Sequence, residues 1–400
     1  MKYIVIVPDG MADNPVEELG NRTPLEAAVT TNMDYLARSG TTGLVKTIPD
    51  QMSPGSDIGN MAILGYDPRT CHTGRAPLEA ANLNIVLADN EVAFRCNLVT
   101  VTNDEMADYS AGHIRTNEAS LLIDALNGDI GLKGAKFYAG KGYRHVLVLA
   151  VEDPKAYCAI KTTPPHDILG KNITPYLPKG PEAGILLKLM DMSKEVFEHS
   201  AVNQVRIDLG ENPDNMIWLW GQGTRPNLPL FHKKFGLKGS IISAVDLVNG
   251  IGRLAGLDVI NVPGATGYYD TNYLGKAEYA LESLKTKDFV YIHIEATDEA
   301  GHNGDIKAKV NAIEQIDKHI VGTILNHYNE HDNVRILVLP DHPTPVKLRT
   351  HTADPVCFVM YGKGIPHDGS QEFNENTARE KGLKFDSGEA LLNHFITKYL

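Results

Sequence analysis

Three apolar runs end in a carboxylate at nearly the same offset: Val5-Ile6-Val7-Pro8-Asp9, Ile292-His293-Ile294-Glu295-Ala296-Thr297-Asp298 and Leu337-Val338-Leu339-Pro340-Asp341. If each run is a strand of one parallel sheet, Asp9, Asp298 and Asp341 meet at its carboxyl edge, where open sheets bind their ligands. Asp298 precedes His302 by four residues, which stacks the two side chains if that segment is helical. His342 follows Asp341 directly, and His351 lies in the loop before the next apolar run. Oxygen and imidazole donors with no thiolate among them suit divalent cations of the Mn²⁺ or Zn²⁺ kind. Two cations are the economical reading.

The stretch Ser53-Pro54-Gly55-Ser56-Asp57-Ile58-Gly59-Asn60-Met61 adds a hydroxyl at a turn that opens a helix. Unsatisfied N–H groups and the positive end of the helix dipole favour an anion there, so a phosphate carried on Ser56 would sit well. Taken alone, Ser56 or Asp57 reads as a helix N-cap, a lone post-strand Asp as a turn residue, and a lone His as a surface or core residue. Their joint occurrence reads as a metal-assisted nucleophile. A serine hydroxyl is weakly nucleophilic until a cation or base takes its proton, and two cations can stabilise both oxygens of an in-line phosphoryl displacement. Whether water or a second alcohol then removes the phosphoryl group separates hydrolase, mutase and transferase. A metal-stabilised binding protein without turnover is the remaining class, and the complete nucleophile and donor set argues against it.

The elements that must position these groups follow from hydrophobic period. Residues 3–7 are apolar at every position, as in a strand covered on both faces. Residues 33–38 read as an amphipathic helix, 43–48 as a strand, and the helix after Ser56 is stopped by Gly65-Tyr66-Asp67-Pro68. From about residue 80 the texture changes to a mixed α+β unit, with strand-like runs at 91–99 and 144–149 and a helix at 117–126. A proline-punctuated loop occupies 162–181, followed by a helix from 184. Strand–helix alternation resumes near 232, with strands at 240–243, 259–260, 289–294, 334–339 and 356–360, a helix at 245–254 and a closing helix at 387–400. The predicted architecture is α/β: a discontinuous core of residues 1–80 and 231–400 around a mostly parallel sheet flanked by helices, and an inserted smaller α+β domain at 81–230.

Composition sets the outer bounds. A chain of 400 residues with 42% hydrophobic content is long enough for two domains, because single cores stop growing near about 250–300 residues. The formal net charge of −12 argues against nucleic-acid and anionic-membrane partners. Cys71, Cys96, Cys158 and Cys357 are far apart and form no Cys-x-x-Cys pair, so a disulfide framework is not expected and a reducing cytoplasm fits. The apolar run at the N-terminus is too short for a signal peptide or membrane span, and no other segment is expected to span a bilayer.

The motifs carry a family resemblance. Val7-Pro8-Asp9-Gly10, Thr23-Pro24-Leu25-Glu26-Ala27, Pro54-Gly55-Ser56-Asp57, Leu64-Gly65-Tyr66-Asp67-Pro68, Val262-Pro263-Gly264-Ala265-Thr266-Gly267, Asp298-Glu299-Ala300-Gly301-His302, Asp341-His342 and His351-Thr352-x-x-Pro355-Val356 span most of the chain. Together they resemble the archaeal-type cofactor-independent phosphoglycerate mutases of the alkaline phosphatase superfamily. The resemblance implies an alkaline-phosphatase-like core interrupted by a substrate-binding insert. Ser56 would be the phosphorylated nucleophile, with one metal on Asp298, His302 and His351 and the other on Asp9, Ser56, Asp341 and His342. It further implies interconversion of 3-phosphoglycerate and 2-phosphoglycerate, a small phosphorylated substrate, through phosphoserine and without 2,3-bisphosphoglycerate.

The chain departs from the family where substrate is read. It has Asp108-Tyr109-Ser110-Ala111-Gly112-His113 in place of an Arg-rich run, Trp220-Gly221-Gln222-Gly223 in place of Arg-Gly-Ala-Gly, Asn60 in place of a His, and Pro164-Pro165-His166-Asp167 at an Asp-Pro-His loop. Arg75, Arg115, Arg144 and Arg225 are the basic candidates for gripping substrate, with Asp108 and His113 as proton-transfer candidates. A phosphotransferase of the same fold, such as a homoserine kinase using ATP, is the alternative. The chain has no Gly-x-x-x-x-Gly-Lys-Ser/Thr loop, so any nucleotide would bind through the metals and the insert.

Overall fold

The computed structural model describes residues 1–328 and 332–398. They form two compact units, one of residues 1–72 and 227–400 and the other of residues 73–226. The division falls at 226/227, four residues inside the 81–230 expected from texture, and at 72/73, eight residues outside it. The cause is the helix Arg75–Asn82, whose buried Ala76 and Ala80 pack with Ala93, Val146 and Val148 of the second unit's sheet.

An eight-stranded sheet runs through the first unit in the order Lys384–Phe385, Thr41–Val45, Val356–Gly362, Val334–Val338, Lys2–Pro8, Phe289–Ile294, Gly239–Ile242, Asp258–Ile260. Every pairing is parallel except the two made by Val356–Gly362. The apolar strand Lys2–Pro8 lies at its centre, with Val7 opposite His293 on one side and Ile6 opposite Val338 on the other. That register ends three strands level, and Asp9, Asp298 and Asp341 follow on the same edge. One core cluster joins alternate strand residues such as Ile4, Ile6, Val290, Ile292, Ile336 and Val338 to Leu36, Ala277, Ala280, Ile313 and Ile320 of the covering helices.

The expected strand at 43–48 instead occupies Thr41–Val45. Thr41 and Thr42 look too polar for a buried strand, but Thr42 Oγ1 bonds the Asp368 carboxylate and the Ser370 hydroxyl, so burial leaves it satisfied. The closing helix is Gly388–Thr397, and residues 399–400 of the expected span lie outside the described residues. Among the described residues no helix is long and apolar enough to cross a membrane.

The second unit is built on an antiparallel sheet ordered Glu105–Asp108, Glu91–Thr102, Arg144–Ala150, Ala135–Lys141, with Met216–Gly223 also pairing Glu91–Thr102. Its two faces bury alternate residues. Val92, Phe94, Cys96, Leu147 and Leu149 pack with residues of the helices Thr116–Asp129 and Ala183–Glu198, while Ala93, Val146 and Val148 face Arg75–Asn82. Period-2 alternation produces this sandwiching directly.

Candidate active site

The Ser56–Ile63 helix has Gly55 as N-cap with no side-chain cap, so the Ser56 hydroxyl is not spent on capping. Ser56 Oγ donates to Asp9 Oδ2 at 3.1 Å and lies 3.3 Å from His342 Nε2. The rest of this helix is buried, and Gly59 packs so closely that a Cβ there would meet the Asp341 carbonyl oxygen at 2.6 Å. Asn60 ties the helix to the sheet edge: its Nδ2 donates to Ser56 O at 2.8 Å and Asp341 Oδ2 at 2.7 Å, while its Oδ1 accepts from Tyr291 OH at 2.6 Å.

The remaining donors converge on two adjacent pockets. On one side Asp298 lies on the helix Ala296–Asn303, with His302 Nε2 3.2 Å from its Oδ2 and His351 Nε2 3.4 Å from its Oδ1. The two imidazole nitrogens are only 2.9 Å apart. Thr344 Oγ1 donates to Asp298 and lies 3.2 Å from His342 Nδ1. On the other side His342 Nε2 is 3.4 Å from Asp9 Oδ1 and 3.6 Å from Asp341 Oδ2, and Gly10 N–H and His342 N–H both donate to Asp341 Oδ1. One donor atom each from Asp298, His342 and His351 fall within 4.8 Å of one another, and so do those of Asp9, His293 and Asp341.

The electrostatics call for a cation. Burial, followed by the charges of Asp341 and Asp298, pushes the Asp9 carboxyl well above the usual carboxylate range. Burial would also raise Asp298, but hydrogen bonds from His302 and His351 hold it well below that range, and the same bond carries His302 up to about 9. Burial lowers His342 and takes His293 down to about 4, so both are neutral imidazoles with a lone pair to offer. Asp9 Oδ1 and His293 Nε2 are buried without a hydrogen-bond partner. Orphaned oxygen and imidazole donors facing one another inside the protein fit divalent metal ions, which satisfy both the lone pairs and the charge.

All seven residues expected at the metal and nucleophile site therefore come together: Asp9, Ser56, Asp298, His302, Asp341, His342 and His351. Asn60, noted in the sequence only as standing where the family has a His, joins them, as do His293, Tyr291 and Thr344, which had not been singled out. For His293 and Tyr291 there was a signal, since each brings a polar group into an otherwise apolar, buried strand.

The candidates of the second unit divide. Arg75 and Arg144 lie near Arg95 and His166: burial, with the positive field of Arg95, Arg75 and Arg144, keeps His166 below its ordinary value even beside Asp167. Arg95 pairs with Glu79 at 2.7 Å and stacks over Trp220 at 4.2 Å, and Tyr109 and Trp220 flank His166 edge-on. Arg144 stacks on Tyr143, whose ring also meets His113. Asp108 organises its loop, accepting from Ser110, Gly112 and Asn212. Arg115 is solvent-exposed beside Glu118, and Arg225 is exposed.

A mostly parallel sheet flanked by helices, bearing a helix-start serine among clustered aspartates and histidines at its carboxyl edge, defines an α/β core with a candidate nucleophile and metal centre. A family model described as 2,3-bisphosphoglycerate-independent phosphoglycerate mutase matches residues 37–203. Proteins of that name from Methanothrix thermoacetophila and Methanosarcina acetivorans are 49% and 51% identical, each over 99% of this chain and 100% of the relative. A cofactor-independent phosphoglycerate mutase structure from Thermoplasma acidophilum superposes with a TM-score of 0.68 at 27% identity, covering 100% of both chains. The PH0037 protein from Pyrococcus horikoshii superposes at 0.84 with 31% identity, over 98% of this chain and 96% of the other. The chain belongs to the 2,3-bisphosphoglycerate-independent phosphoglycerate mutase family.

Proposed function

We propose that this protein interconverts 3-phosphoglycerate and 2-phosphoglycerate in the cytoplasm through a phosphoserine at Ser56, without 2,3-bisphosphoglycerate. The observation that carries this reading is the Ser56 hydroxyl itself, uncapped at a helix start and held by Asp9 and His342. Asp298, His302 and His351 would hold one divalent cation, and Asp9, Ser56, Asp341 and His342 the other, Mn²⁺ or Zn²⁺ in each case. Bound there, the metals supply the Lewis acidity that makes a serine oxygen nucleophilic and stabilises charge on the phosphoryl oxygens.

The chain's own groups do the rest. Asp9 and His342 fix the Ser56 rotamer, and Asn60 holds the Ser56 backbone against Asp341. Ser56 Oγ forms its bond to phosphorus as the bond to one glycerate hydroxyl oxygen breaks; the other glycerate hydroxyl then takes the phosphoryl group and frees Ser56. The free cysteines fit a reducing compartment. In the second unit Arg75 and Arg144, with Arg95, His166 and Trp220, offer the guanidinium and aromatic chemistry that a carboxylate-bearing phosphate ester requires.

The test is direct. Purified protein loaded with Mn²⁺ should equilibrate the two phosphoglycerates with no bisphosphoglycerate added. Ser56→Ala should abolish turnover while leaving the fold intact. A fully metal-loaded preparation that leaves 3-phosphoglycerate unchanged, or that makes phosphohomoserine from ATP and homoserine, overturns the reading.

A further inference from the structure

The Asp9–Asp341 pocket contains an imidazole outside the ligand sets given above. His293 lies in the strand Phe289–Ile294, opposite Val7, and is fully buried. Two contacts hold it from behind. Its Nδ1 is 3.2 Å from Ser243 Oγ, a hydroxyl that also accepts the Val245 N–H at 3.0 Å, and its backbone carbonyl accepts from Lys276 Nζ at 2.8 Å. Nε2 is thereby presented to Asp9, 3.0 Å from Oδ2, without the alignment of a hydrogen bond.

A buried ring nitrogen left unsatisfied at this distance from a carboxylate costs free energy unless a further group completes the contact. Donor atoms of Asp9, His293 and Asp341 lie within 4.8 Å of one another, as a shared ion requires. Outer-shell bonds to the remote nitrogen are the usual device for fixing the tautomer of a ligating imidazole. With Nδ1–H donated to Ser243, the lone pair of Nε2 points into the pocket.

We propose that His293 Nε2 ligates the cation held by Asp9 and Asp341, with Ser243 as the positioning residue that sets its tautomer. This rests on reading the site as a two-cation centre. Each cation then has two imidazoles within reach: His302 and His351 on one side, His342 and His293 on the other.

Chelator competition with Mn²⁺ or Zn²⁺ on the full chain tests it. His293→Gln should weaken one of the two binding events by about 10- to 100-fold and leave the other unchanged; Ser243→Ala should weaken the same event less, and His302→Gln the other event. Far-ultraviolet circular dichroism checks that each variant is folded. Anomalous diffraction from the zinc-loaded wild type needs no variant: it should place a zinc within about 2.0–2.3 Å of His293 Nε2. A zinc on Asp9 and Asp341 but beyond about 3 Å from that nitrogen, or a folded His293→Gln with both affinities intact, overturns the proposal and leaves the two-cation reading standing. No cation on either aspartate overturns both.

Discussion

At the scale of single residues, the nucleophile is defined as much by what orients it as by its own hydroxyl. Asn60 joins Tyr291, Asp341 and the Ser56 carbonyl, and the Tyr291 hydroxyl, by donating to Asn60 Oδ1, decides which way that amide faces. Tyr291→Phe leaves a buried acceptor unsatisfied, which should lower stability by about 1–3 kcal/mol. With the amide no longer held, kcat should fall while KM for phosphoglycerate stays near the wild-type value; steady-state kinetics beside urea unfolding separate the two effects. Seven site residues were legible in the sequence because an Asp after an apolar run and a His four residues on are local patterns. The link between Asn60 and Tyr291 was not, since it exists only once residues 231 positions apart in sequence are in contact.

Among elements, the Ser56–Ile63 helix works by close approach. Gly59→Ala would drive a Cβ into the Asp341 backbone, with its oxygen at 2.6 Å and its carbonyl carbon at 3.1 Å, so the helix must shift away from the sheet edge. Moving a reacting atom by about 1 Å costs on the order of 10²-fold in rate, and kcat should drop accordingly. Gly128, within the helix Thr116–Asp129, has nothing within 4 Å of its Cβ position. Gly128→Ala should therefore stabilise the protein by about 0.5–1 kcal/mol with kcat unchanged. Strands with one apolar texture were read within a residue or two of their observed ends. Met216–Gly223 was not read as a strand at all, because Gly221 and Gly223 break its pattern and its pairing with Glu91–Thr102 carries a register shift.

For the whole molecule, stability should carry the signature of a buried acid. Glu375 accepts from Thr23 and from the Asp13 backbone, and burial raises it from 4.5 to about 6. Below pH 4.5 it is protonated folded or unfolded and contributes no pH dependence; between 4.5 and 6 the folded chain holds the proton more tightly. Stability from this group therefore falls as pH rises through that window, by about 2 kcal/mol in total. Urea unfolding at pH 4.5 and pH 7 should show a smaller difference for Glu375→Gln than for wild type. A shift of this kind comes from contacts between distant segments, which no local pattern records.

The position of the first strand has a consequence for synthesis. Lys2–Pro8 is flanked by Phe289–Ile294 and Val334–Val338, so this strand leaves the ribosome long before either of the strands it pairs with. At ordinary elongation rates that interval is on the order of tens of seconds. Throughout it, a strand with the aliphatic centre Ile4-Val5-Ile6-Val7 has neither edge covered, while residues 73–226 emerge with all the partners of their own sheet. The centre of the mature sheet is thus a long-lived adhesive surface of the nascent chain, and holding it apart from other chains is the task that falls to whatever escorts this protein during translation.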